Sequence, residues 1–239
     1  MEPYNFTKSN RWPYLSPLRY PGGKAILYPL LKDLAELNLG ESRVYAEPYA
    51  GGSGAALELL FNGVVERVLL NDADRHIYAF WRVVLNDTDW LVERIDRVRV
   101  TMTEWRRQRT IYQEHRAHTL KDVAFSTFFL NRCNRGGILP KAGPIGGFEQ
   151  KGNFLIDARF HKEHLIERIQ AISKKRDQIS FENQDAKDFI RERLGQFRNS
   201  RLLMYIDPPY YVQGEGLYLN HYTPEDHSDI ARLLRSRRH

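Results

Sequence analysis

Two short segments of the chain carry residue types that chemistry can use. In the first, Glu47-Pro48-Tyr49-Ala50 runs into Gly51, Gly52 and Gly54, and an acidic residue, Asp72, follows about twenty positions later. Glycines between a strand and a helix let the backbone come close to a ligand and offer helix N-terminal NH groups to an anion. A carboxylate at the tip of the next strand is placed to accept from a ribose diol. The spacing Gly-Gly-Ser-Gly departs from the GxGxxG of dinucleotide enzymes. The pair therefore points to an adenosine-type ligand, the plain alternative being a turn that merely packs tightly.

The second segment is Asp207-Pro208-Pro209-Tyr210. Prolines have no NH to donate and stiffen a turn, so carbonyls and the carboxylate converge as acceptors. A site made only of acceptors suits an exocyclic amino group. Accepting its hydrogens draws the nitrogen lone pair out of conjugation with the ring and makes it nucleophilic. Tyr210 offers a flat face for a base, and Tyr211 would widen it. A proline turn with an aspartate cap is the plain reading, and it loses ground because a ligand turn precedes it.

The surrounding pattern supplies elements to position these segments. Residues 1–17, interrupted by Pro3, Pro13 and Pro17, read as an extended arm. Ala25 to Leu37 has helical apolar spacing, Val44–Tyr49 and Arg67–Asp72 read as strands, and Ala55–Phe61 as the helix between them. From His76 to Asp177 helices dominate, around Tyr78–Leu85, Trp90–Arg109, Leu120–Asn131 and His161–Lys175, with a glycine-rich hairpin or ordered loop over Gly136–Gly152. Strand grammar returns at Ile179–Asn183, a helix is expected near Asp188–Ile190, and Leu202–Ile206 reads as a fully buried strand. Thr223-Pro224 opens a last helix. The fold class is thus α/β, a three-layer core with a parallel sheet, formed by residues 1–75 and 178–239 around a mostly helical insertion, 76–177.

Composition narrows the field. The 239 residues carry 36 Lys and Arg against 30 Asp and Glu, a net charge of +6 that favours a polyanionic partner. One cysteine, Cys133, excludes an internal disulfide and a cysteine-based zinc cluster, and the eight histidines show no metal spacing. With no membrane-length apolar run and no apolar leader, the expectation is a soluble, cytoplasmic, metal-free protein. Arg94, Arg97, Arg106 and Arg107 read as the solvated face of helices, and Trp81, Trp90 and Trp105 as core.

In this order the motifs resemble the Dam-like, class D12 adenine-N6 DNA methyltransferases, over nearly the whole chain. The resemblance implies a SAM-dependent (Rossmann-like) methyltransferase core that uses S-adenosylmethionine (SAM) and acts on double-stranded DNA. It implies SAM contacts at Tyr20 and Lys24 of Arg19-Tyr20-Pro21-Gly22-Gly23-Lys24 and at Glu47, Pro48, Tyr49, Gly51, Gly52 and Gly54. Asp72 matches the acidic residue on the ribose, and Asp185 falls near the adenine position. Asp207, Pro208, Pro209 and Tyr210 match the catalytic motif, with Asp207 also bordering the cofactor. The target adenine would be flipped from the duplex onto Tyr210. Phe128-Phe129-Leu130-Asn131-Arg132 followed by Gly136-Gly137 is similar to the segment leading to the family's DNA-reading hairpin. It makes Arg132, Arg135, Lys141 and Lys151 candidate phosphate contacts. Relatives continue beyond the last helix into further strands, so Leu202–Ile206 is expected at a sheet edge. Either the chain is a shortened form or a second chain completes the sheet, and the chain by itself is expected to methylate poorly or not at all while keeping most SAM contacts. An RNA base-amine methyltransferase and a non-catalytic DNA-binding homologue are the competing readings.

Overall fold

The computed structural model describes residues 15–19, 24–139, 141–197, 201–209 and 223–235. A short 3-10 turn, Lys24–Leu27, leads into helix α1, Tyr28–Asn38. Strand β1, Val44–Glu47, helix α2, Gly54–Phe61, and strand β2, Arg67–Asn71, follow as a parallel strand–helix–strand unit. Helices α3 (Arg75–Asn86), α4 (Thr88–Arg97), α5 (Met102–Gln113), α6 (Leu120–Cys133) and α7 (Lys162–Ser173) come before strand β3, Ile179–Glu182. Helix α8, Ala186–Gln196, strand β4, Leu202–Met204, and helix α9, Pro224–Arg235, complete the described elements.

The four strands lie in the order β3-β2-β1-β4, all parallel. Their side chains alternate between two apolar layers. Tyr45, Val68 and Leu70 face the core built by α2 and α3, whereas Val44, Ala46 and Leu69 pack with Phe189 of α8. Covering both faces is what a parallel sheet requires, and it gives the three layers expected from sequence. The order of strands reverses at β1, whose neighbours are β2 on one side and β4 on the other. In such sheets the reversal opens a crevice beyond the carboxyl ends of the central strands.

The helical stretch departs from expectation in one place. Trp90–Arg109 is two helices, because Val98 adopts an extended backbone and Thr101 begins a new helix by accepting from Glu104 NH. Trp81 and Trp105 are buried and Trp90 packs against the same core. Helix α6 is buried at every position from Val123 to Cys133, and its apolar contacts continue those of the sheet's inner face. The 136–152 segment is an ordered loop. It has one antiparallel bridge, Asn134 to Pro144, and Gln150 at its centre, whose amide donates to Ile145 O and Gly147 O and accepts from Ile156 NH.

Strand β4 is shorter than the expected Leu202–Ile206, and its residues are half-buried rather than fully buried. The cause is its position: among the described residues it pairs with β1 alone. Of the arm, Leu15, Ser16 and Leu18 are buried against the core, and residues 1–14 lie outside the described residues.

Candidate active site

Each strand of the sheet delivers a polar residue to the same edge. Glu47 ends β1, Asn71 ends β2 with Asp72 beyond it, Gln184 and Asp185 follow β3, and Asp207 follows β4. Asn71 fastens three of these ends together. Its buried amide donates to Pro48 O at 3.0 Å and to Gln184 O at 3.1 Å, while its oxygen accepts Gln184 NH at 3.0 Å. Tyr205 NH continues the β4 register by donating to Ala46 O, which sets the chain leading to Asp207 beside the end of β1.

The glycine turn is held from several sides. Gly51 has φ of 48°, a conformation that favours glycine, and its NH donates to Asp72 Oδ2 at 2.9 Å. Its carbonyl accepts from the Trp81 indole at 2.9 Å, so this core tryptophan also sets the turn. Ser53, just before α2, is in the left-handed region at φ 52°. Strain of that kind in a non-glycine residue persists only where the surroundings enforce it. A Cβ on Gly54 would lie 3.3 Å from Ala25 Cβ, so the segment after Lys24 packs directly on the start of α2.

Lys24 joins the two chemistry-bearing segments. Its ammonium donates to Tyr49 O at 2.8 Å, stands 3.6 Å from Asp207 Oδ2, and lies 5.5 Å from the centre of the Tyr205 ring. The glycine turn and the Asp-Pro-Pro turn therefore meet across the tips of β1 and β4. Of the aromatic residues expected here, Tyr20, Tyr210 and Tyr211 fall outside the described residues.

Two carboxyls in this crevice are strongly perturbed. Glu47 is 1% exposed; burial pushes it up to about 7, against the pull of Lys24 and the Tyr45 hydroxyl. Its Oε1 accepts from that hydroxyl at 2.9 Å; among the described residues neither Oε2 nor the buried Ser53 hydroxyl has a hydrogen-bond partner. Asp72 keeps part of its surface at the rim. Its carboxyl lies deep enough that burial, helped by the charge of Asp74, pushes it up to about 7. Asp72 Oδ1 accepts Asp74 NH at 2.9 Å, and Asp74 in turn accepts from the backbone and ring of His76 at the start of α3.

These raised values have a consequence for stability. The folded chain keeps the Glu47 proton that the unfolded chain releases above its ordinary value of 4.5, so stability without ligand falls as pH rises from about 4.5 to 7. Glu47→Gln is neutral throughout. It is expected to melt higher than the parent at pH 8, by an amount equivalent to about 1–3 kcal/mol, and to show a flatter pH profile. Melting curves from pH 4 to 8 check this; an unaltered slope would contradict it.

The proposed DNA contacts divide into two groups. Arg135, Lys141 and Lys151 are exposed on and around the ordered loop, Lys151 within 2.6 Å of Glu149. Arg132 departs from the expected role of phosphate contact. It is 8% exposed, and its guanidinium donates to Arg159 O and Pro17 O, which leaves it inside the molecule. Asp185 caps α8 by accepting Lys187 NH, at the same strand edge as Asp72.

A family model for D12 class N6 adenine-specific DNA methyltransferases matches residues 20–238. The chain belongs to this family. No curated protein matches it. The parallel sheet with helices on both faces is accordingly the Rossmann-like methyltransferase core, and DNA is the substrate of the D12 class. Among the described residues, no helix is long and apolar enough to cross a membrane.

Sequence reasoning missed several residues that build this crevice. Asn71 was read only as part of the Arg67–Asp72 strand, and Trp81 only as core. Ser53 sits inside a quoted motif, but its left-handed backbone leaves no mark in residue type. Lys24 was expected at the cofactor; its approach to Asp207 was not.

Proposed function

We propose that the chain transfers a methyl group from SAM to the N6 amino group of an adenine flipped out of double-stranded DNA. The observation that carries this reading is the single ammonium of Lys24 lying between Tyr49 O and the Asp207 carboxylate. It puts a ligand-binding glycine turn beside a turn rich in acceptors. Residues 76–177 are the target-recognition part of the same reading, with Arg135, Lys141 and Lys151 on the phosphate backbone.

The residues on the cofactor side fit SAM. The unpaired Glu47 Oε2 and Ser53 Oγ are buried polar atoms that need a partner, and a methionine ammonium and carboxylate supply one to each. Asp72 retains lone pairs for a ribose diol beyond those taken by Gly51 NH and Asp74 NH. Asp185 and the 183–185 turn would border the adenine. When bound, SAM supplies a methyl group on positive sulfur, which needs no metal and no covalent enzyme intermediate for its activation.

The protein's share is to prepare the amine. Asp207 and the Pro208 carbonyl accept its two hydrogens, which localises the nitrogen lone pair, and Pro208 and Pro209 offer no NH that would compete for it. Tyr210 stacks on the extruded base. Asp207 polarises the amino group whether or not it finally takes the proton. Among the described residues β4 pairs with β1 alone, and its other edge is the place where a strand from a second chain would add to the sheet.

The test is transfer of labelled methyl from SAM to duplex DNA and to structured RNA in parallel. Label in DNA, on adenine, is expected. Label in RNA alone would favour an RNA base-amine methyltransferase, and salt-dependent DNA binding without any transfer would favour a non-catalytic homologue.

A further inference from the structure

Behind the ordered loop, four arginines gather with no acid among them. Arg132 on α6, Arg19 in the arm, Arg168 on α7 and Arg159 just before α7 act on one another electrostatically. Burial and then the charges of Arg19 and Arg168 bring Arg132 down to about 9. Burial, followed by the charge of Arg159, lowers Arg19, and burial alone lowers Arg168. None of the four forms an ion pair among the described residues. Of the acids nearest in sequence, Glu167 stands 3.7 Å from His164, and Asp157, close enough to act on Cys133 beside Arg132, pairs with none of the four among the described residues.

Their hydrogen bonds go to backbone carbonyls: Arg19 to Asn134 O, Arg132 to Pro17 O and Arg159 O, and Arg168 to Ser16 O. These bonds fix the arm against α6 and α7 but supply only dipoles to offset four charges. Arg168 Nε is buried with no hydrogen-bond partner among the described residues. Arg159 is exposed, and among the described residues its guanidinium has no hydrogen bond or ion pair. Guanidinium groups held together without a counter-ion are costly unless an anion arrives to satisfy them.

We infer that Arg159, Arg168 and Arg19, backed by the buried charge of Arg132, form a phosphate-binding site that takes a phosphodiester of the DNA substrate. This rests on the DNA-methyltransferase reading and adds a contact to it, on the face formed by α6, α7 and the arm. Arg159 is the group free to close on the phosphate. Arg132 is a positioning residue: it holds Arg159 through that residue's carbonyl and does not touch the ligand itself.

The experiment measures the affinity of the full chain for a duplex across a salt series, with SAM affinity as a check on folding. Arg159→Ala is the main variant, because its side chain supports nothing else in the fold, and Arg168→Gln is the second. Each is expected to weaken duplex binding about tenfold near physiological salt and to reduce the slope of log K against log salt by about one. Arg97→Ala, a surface arginine paired with Glu93, is expected to leave both unchanged.

If both variants keep the parental slope and lose only melting temperature, the cluster is a clip for the arm and the inference is wrong. Inorganic phosphate displacing nothing from the parent supports the DNA source. Phosphate binding lost in Arg159→Ala while the duplex slope is unchanged would assign the site to free phosphate and overturn that source. A parent that binds SAM and duplex DNA with a slope indifferent to Arg159 refutes this site alone; a parent that binds neither SAM nor duplex DNA refutes the wider reading.

Discussion

Asp207→Ala is expected to lower kcat for methyl transfer by about a thousandfold while leaving the chain folded and able to bind SAM. Asp207 follows β4 and its side chain is one-third exposed, so truncation leaves no packed cavity. Lys24 loses a charge partner at 3.6 Å but keeps its hydrogen bond to Tyr49 O, so the glycine turn stays anchored. What disappears is the charged acceptor for the amino group, which acts as positive charge develops on nitrogen. The effect should therefore fall on kcat rather than on the Kd for SAM. Asp207→Asn keeps one acceptor and puts a donor in place of the other; its rate should lie between those of parent and alanine. Single-turnover rates with calorimetric SAM binding measure both quantities. An alanine variant with parental kcat would remove Asp207 from the chemistry.

Asn71→Ala is expected to produce the largest loss of stability. The side chain is fully buried and closes three hydrogen bonds between segments distant in sequence. Removing it leaves Pro48 O, Gln184 O and Gln184 NH without these partners, the first in a buried position and the other two in a partly buried one. At about 1–3 kcal/mol for each buried group, less than additive, the net cost is about 3–4 kcal/mol. For a domain of this size that corresponds to a fall in Tm of about 10 °C. SAM affinity should fall with it, since the same bonds position Pro48 behind Glu47 and Gln184 beside Asp185. Asn71→Asp should be at least as harmful, because it sets a carboxylate against two carbonyls. Thermal melting with and without SAM checks the claim, and an unchanged Tm in either variant would contradict it.

What could be read from the sequence follows from how far apart the cooperating residues stand. The glycine turn, Asp72 and the Asp-Pro-Pro turn were legible because each is a compact run whose chemistry is local. The sheet was legible because alternating or continuous apolar runs encode strands. Asn71 was not, since its partners are 23 and 113 residues away and nothing in residue type announces them. Arg132 was misassigned because residue type gives charge but not burial. It lies on a helix enclosed over its last three turns, packed chiefly against α3 and α5, and its own guanidinium is closed over by the carbonyls of Arg159 and Pro17. The break in Trp90–Arg109 was hidden by helical spacing on both sides, although Val98, Val100 and Thr101 are residues that favour extended backbone. The burial of β4 was overestimated because an apolar run does not report how many neighbours the strand will have.

In the proposed reaction a SAM site at the glycine turn faces an acceptor pocket for an amino group across the tips of β1 and β4. The most direct measurement uses SAM with a trideuterated methyl group, duplex DNA and mass spectrometry of the nucleosides after digestion. The account predicts deuterated N6-methyladenine with the parent chain and none with Asp207→Ala. Deuterium on cytosine, or equal adenine labelling by parent and variant, would contradict it.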